Sequence, residues 1–205
     1  MKKLFLVLAL AASLQVANAQ VKSVSAAKSA VESAQKAADD AKKATKYATW
    51  MKLGQAYLDA YDAPRGNGWI GAGQQELQLV MGPDKPKSEE MVTISGQQFK
   101  KAVFDTKNYY YNEGGVLQMI EVTQPVFDDC LDKALAAYKK AFELDTKGAK
   151  KEDIMKSVEG ISGKFNDEAY SAYTFGNFAL ASTMFEKCAD ASMALPGLKA
   201  NAEAL

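Results

Sequence analysis

The side chains able to do chemistry are few, and their spacing does not favour catalysis. The 205 residues include no histidine, which removes the commonest general base and a frequent zinc ligand together. Neither a Ser–His nor a Cys–His site can be built, although carboxylate pairs and lysine chemistry stay open. The acidic pairs Asp39-Asp40, Glu89-Glu90 and Asp128-Asp129 lie in no loop that would converge several oxygens on one point, as a hard cation requires. They read as solvated faces. Gly66-x-Gly68 and Gly71-x-Gly73 lack the strand-to-helix setting of a dinucleotide site and read as turns. No catalytic residue, cofactor or metal is therefore expected. Cys130 and Cys188 read as thiols. A disulfide stays open, since it needs Cα atoms about 6 Å apart and spacing alone cannot give that distance.

What remains is binding chemistry. Trp69, Phe99, Phe104 and the run Tyr109-Tyr110-Tyr111 concentrate in one stretch. Aromatic residues at this density can stack sugars or anchor a protein interface. They can equally form a small sheet's own core, with Tyr109 and Tyr111 on one face and Tyr110 on the other. Arg65 is the only arginine among the 25 basic residues. Arginine supplies the planar fork that grips phosphates and base edges, so a nucleic-acid partner is not expected. The 25 acidic residues cancel any long-range field that would draw the chain to nucleic acid or an anionic membrane.

The elements that must position these residues are mostly helical. Lys2 and Lys3, the apolar run Leu4–Leu14 and Ala17-Asn18-Ala19 have the three-part order of a secretory signal peptide over residues 1–19, cleaved before Gln20. The apolar run is too short to cross a bilayer. In 22–46, Val24, Ala27, Val31, Ala34, Ala38 and Ala41 recur every three or four residues, a helical stripe. A second helix is expected over 46–62, with Trp50, Leu53, Tyr57 and Tyr61 on one face. Residues 63–125 change character. Gln74–Met81 is apolar and of ambiguous type. The runs 91–95, 99–104, 109–111 and 116–123 are rich in β-branched and aromatic residues and read as an antiparallel sheet, with a hairpin turn at Asn112–Gly115. Further helices are expected over 126–145, with Pro125 in the first turn, over 150–175 and over 178–194. In the 150–175 helix, Gly160 and Gly163 read as a bend or a close helix contact, because glycine costs about 1 kcal/mol there.

Trp50-x-x-Leu53-Gly54-x-x-Tyr57 resembles the first helix of a tetratricopeptide repeat, whose W-x-x-L-G-x-x-Y pattern is followed by A-x-x-x-F over about 34 residues. Ala134, Tyr138 and Ala141 resemble a second helix, and Ala181, Phe185 and Cys188 resemble another. Phe165 and Ala169 take the tryptophan and glycine places less faithfully, Glu168 stands where leucine is expected, and Thr146 stands where proline is. Trp50 and Ala134 lie much further apart than one repeat allows, so the first repeat would be split by an insertion over 63–125. The wider layout resembles exported tetratricopeptide proteins of Bacteroidota. The domains implied are a signal peptide at 1–19, an N-terminal helix and first repeat helix at 20–62, the β-rich insertion at 63–125, and the remaining repeat helices at 126–205. The implied class is mainly α: a tetratricopeptide-like α-solenoid of antiparallel helix pairs carrying a small antiparallel β insertion. Repeats beyond Leu205 would be needed to bury a continuous core.

The resemblance also implies a function. Such arrays hold a protein or peptide in a groove lined by the first helix of each repeat, here at Met51, Gln55 and Leu58, then Asn166, Tyr170 and Tyr173. The expected protein is a non-catalytic scaffold of the periplasm or outer envelope. The alternative is a glycan-binding module using the insertion's aromatics. A carboxylate clamp is not expected, because Met51, Gln55, Gly163 and Asp167 occupy the positions where the clamp needs cationic and amide groups.

Overall fold

The computed structural model describes residues 21–82 and 84–199. Residues 1–20, which include the expected signal peptide, and residues 83 and 200–205 lie outside the described residues. Six helices and four strands are described: α1 (Val24–Asp39), α2 (Tyr47–Asp62), α3 (Gln74–Val80), β1 (Ser88–Ile94), β2 (Gln97–Val103), β3 (Lys107–Tyr111), β4 (Leu117–Val122), α4 (Cys130–Leu144), α5 (Lys151–Thr174) and α6 (Phe178–Ser192).

Five of the helices form one layer. α1 packs on α2, α2 on α4, α4 on α5, and α5 on α6. Their shared core is built largely of small residues: Ala27, Ala56, Ala60, Ala134, Ala137, Ala141 and Ala191 are all buried there. Small residues at the crossings let the axes approach closely. The extreme case is Gly54, where a Cβ would stand 2.7 Å from the Tyr138 ring. Tyr57 lies edge-on to Phe127 at 6.1 Å, which runs α4 antiparallel to α2. Tyr170 on Phe185 and Tyr173 on Phe178 fix α6 antiparallel to α5.

The strands pair in sequence order, β1-β2-β3-β4, all antiparallel. β3 is central and buried at every position, because both faces of the sheet are covered. Tyr109, Tyr111, Ala102, Phe104 and Leu117 pack beneath Leu77 and Met81 at α3. Tyr110, Phe99 and Met119 face the other way, with Tyr110 edge-on to Phe175 at 5.0 Å just past α5. A bulge between Tyr110 and Tyr111 brings Leu117, not Gln118, opposite Tyr111. Without that extra residue, Leu117 would point to the wrong face.

The expected class, a mainly α tetratricopeptide-like α-solenoid, is corrected by this arrangement. The described chain is 52% helical and 15% strand, a mixed α/β architecture. The physical reason is that the sheet has apolar clusters on both faces, one of which rests on the end of α5. It therefore packs as a second layer. Two local expectations also change. Helix α4 starts at Cys130, not near Pro125, because Val126 and Phe127 turn in to pack on the helical core. Gly160 and Gly163 meet no atom within 4 Å of a hypothetical Cβ, so neither marks a close helix contact. Both cysteines are buried, and no disulfide joins them.

Candidate functional site

A groove of about 450 Å³ opens where the two layers meet. Its walls come from the end of α2 and the segment after it, from β4, and from one face of α5. The α2 side begins where the helix stops. Asp62 O accepts from the backbone N–H groups of Arg65 and Gly66 at 2.9 and 3.2 Å, and Gly66 takes φ +72°, a left-handed conformation that glycine adopts without strain. The chain then runs beneath the sheet. The Tyr109 hydroxyl donates to Arg65 O, and Gly68 lies so close under that ring that a Cβ would overlap it. Gly71 N–H donates to Leu117 O at 2.8 Å, and Leu117 N–H to Ala72 O at 2.8 Å. Trp69 and Ile70 are thus held between two anchored points and stay exposed, at 47% and 44%.

The α5 wall follows from helical spacing. Ile154, Val158, Ile161, Phe165, Ala169 and Ala172 are buried. The opposite stripe of Lys164, Asp167, Ser171 and Thr174 turns to the groove, with Glu168 and Tyr170 beside it. Tyr170 is 52% exposed even though its ring meets Phe185 edge-on.

Four of the five charged groups in the groove are paired. Lys164 Nζ reaches Asp62 Oδ1 at 2.6 Å. Arg65 forms an ion pair with Glu168, whose Oε1 also accepts from the Tyr61 hydroxyl at 2.7 Å. The guanidinium stacks 3.9 Å over the Tyr61 ring and Lys164 stands 5.0 Å from it. Such contacts are worth about 0.5–2 kcal/mol each. Burial pushes the Tyr61 hydroxyl pKa up, so it donates to Glu168 at any ordinary pH. Asp167 alone has no hydrogen bond or ion pair among the described residues. The protein crowded around its carboxyl raises its pKa, while Lys164 and then Arg65 pull the other way.

Tyr61, Arg65 and Glu168 also line a second, smaller cavity of about 200 Å³ between α2, α4 and α6. Cys130 lies against it. Burial pushes that thiol up to about 11, so it stays protonated and unreactive near neutrality. Lys187 pairs with Asp132 beside it at 2.8 Å. Among the described residues no group of three or more His, Cys, Asp or Glu side chains could hold a metal.

The six residues expected from the repeat resemblance do not share one surface. Met51 and Leu58 are half-buried against the helical core. Gln55 lies in a shallow depression between α1 and α2, and its amide accepts from the Tyr138 hydroxyl at 3.4 Å. Asn166 is buried. Tyr173 is exposed and packs edge-on to Phe178. Only Tyr170 lines the groove. Phe99, Phe104 and Tyr109–Tyr111 are buried within the sheet; of the insertion's aromatics noted in the sequence, Trp69 alone is exposed. Sequence reasoning did not bring Arg65, Asp167 and Glu168 together. The available signal was Glu168, a charge at an apolar place in the repeat pattern, together with a single arginine far away in the chain.

Comparison with known proteins returns no matching family model, no matching curated protein and no matching solved structure. The groove must therefore be read on its own chemistry. Among the described residues, no helix is long and apolar enough to cross a membrane.

Proposed function

We propose that this chain is a non-catalytic binding protein of the cell envelope and that it holds a segment of another protein in the groove between α2, β4 and α5. The observation that carries the reading is the set of exposed apolar residues at the groove, Trp69 and Ile70 between the anchored Arg65 and Gly71, and Tyr170 on α5. Exposed aromatics around a concave, partly charged surface are the usual anchors of protein recognition. Tyr173 and Phe178 extend the exposed aromatic surface along the α5–α6 turn. Export rests on the leader-like residues 1–19. Of the insertion's aromatics, a glycan reading keeps only Trp69 as an exposed stacking platform, which favours the protein partner.

The test is site-specific photo-crosslinking in the producing cell. A benzophenone side chain at Trp69 or Tyr170 is expected to give discrete protein adducts, and one at Lys139, an exposed position on α4, is expected to give none. Adducts from Lys139 with none from the groove positions would contradict the reading.

A further inference from the structure

We propose that the groove selects a partner segment by a basic side chain, a lysine or arginine flanked by apolar residues, seated between Asp167, Trp69 and Tyr170. The inference rests on the groove being the binding surface and names what it recognises. The groove is lined by Asp62, Arg65, Lys164, Asp167 and Glu168. Lys164 is held by Asp62 and Arg65 by Glu168, and both cations are further engaged by the Tyr61 ring. One carboxylate is left over, and it is Asp167. A cation from outside therefore completes the pairing of the groove. An anion would meet an uncompensated like charge, which costs specificity and affinity.

The apolar partners of that carboxylate point to the same class of ligand. Trp69 and Tyr170 line the groove with Asp167 and keep half their surface in solvent. Tryptophan and tyrosine faces attract ammonium and guanidinium groups, Trp most strongly. The long methylene stem of lysine or arginine suits an apolar rim while its head reaches an acid. Ile70 at the same edge offers contact for an apolar neighbour in the partner segment. The volume of about 450 Å³ falls in the usual range of roughly 300–1,000 Å³ for ligand pockets, enough for a side chain and its neighbours. Asp167 is itself exposed at the groove, so a cation on a partner segment can reach its carboxylate.

The experiment uses short capped peptides and the two tryptophan indole N–H resonances of the mature chain. Trp50 is the internal control, since its indole donates to Ala44 O at 2.8 Å outside the groove. The probes are acetyl-Gly-Leu-Lys-Leu-Gly-amide, the same peptide with norleucine in place of lysine, the same with glutamate, and cellohexaose. The lysine peptide is expected to shift the Trp69 resonance saturably and to bind about tenfold tighter than the norleucine peptide. Asp167→Asn should abolish that preference and Asp167→Glu should retain part of it. If lysine and norleucine peptides shift Trp69 with equal affinity, the cation inference is overturned while the groove reading stands. If cellohexaose shifts Trp69 more tightly than any peptide, the occupant is a glycan and the inference is wrong. If no probe moves Trp69, the inference and the groove reading fall together.

Discussion

The helical layer and the sheet keep their shape by opposite means. The helices approach on alanine and glycine, so their spacing is set by the absence of side chain at the crossings. The sheet is built on Tyr109, Tyr110 and Tyr111, large rings of which the first two have tethered hydroxyls. Tyr109 donates to Arg65 O in the segment leaving α2, and Tyr110 donates to Glu121 on β4 at 2.6 Å. The difference shows which perturbation each layer resists. A methyl added at the Gly54 crossing has nowhere to go, whereas removing the Tyr109 hydroxyl leaves the half-buried Arg65 O without that donor. The groove lies where these two regimes meet, which accounts for its one wall of packed helix and its other wall of a loop pinned by tyrosine.

The sharpest break in that comparison is expected at Gly54. Gly54→Ala brings a methyl within 2.7 Å of the Tyr138 ring and should cost about 1–3 kcal/mol, despite alanine's better helix propensity. Urea unfolding measures it; an unchanged or raised midpoint would mean that the crossing is looser than described. Tyr109→Phe should follow at about 1–2 kcal/mol, because Arg65 O loses its buried donor. In a hydrogen-exchange experiment the loss should appear first in residues 65–72, and uniform loss across the helices would show that the tether does not act locally. The helical rule also predicts its own exception. Gly160 and Gly163 are helical, exposed and open to solvent, so Gly160→Ala and Gly163→Ala should each stabilise by roughly 0.5–1 kcal/mol. Destabilisation at either site would reveal a contact there.

The smallest effect belongs to the groove itself. The Asp167 pKa is raised in the folded state, so folding favours its protonated form. Well below the carboxyl's ordinary pKa the group is neutral in folded and unfolded chains alike and costs nothing. The penalty grows as the pH climbs through the raised folded-state value and is full above it. Asp167→Asn should therefore raise the melting temperature slightly at pH 7 and have no such effect near pH 3. Equal shifts at both pH values would place the effect in packing and not in charge.

How much of this was legible in the sequence depended on the range over which each signal acts. Helices announce themselves by local period, and the stripe Ile154, Val158, Ile161, Phe165 places α5 without further help. The strands were readable from β-branched and aromatic runs, with ends moved by up to three residues where β1 begins at Ser88. The ambiguous Gln74–Met81 resolves as the short helix α3, whose Leu77 is buried on the tyrosine face of the sheet. Nothing local tells a sheet that hangs from a loop from one that packs on a helix end; the contact behind the mixed α/β architecture is Tyr110 on Phe175, far apart in sequence. The groove was hidden for the same reason. Its walls come from 61–70, 118–120 and 164–174, and the pairing of Arg65 with Glu168 joins positions that no helical period connects. The surface expected along α2 and α5 presumes one open face, whereas Met51 and Leu58 are half-buried against the helical core, Asn166 is buried and Tyr170 alone of the six lines the groove.

If a partner binds where the helical layer meets the sheet, as proposed, one pair of variants separates that surface from the rest of the molecule. Trp69→Ala with Tyr170→Ala empties the groove rim, while Leu79→Ala with Met193→Ala removes exposed apolar side chains that line no part of it. Each double variant is compared with wild type for its bound protein partner, at matched melting temperature. Loss of the partner from the first variant and retention by the second is the expected result; retention by the first and loss from the second would contradict the account.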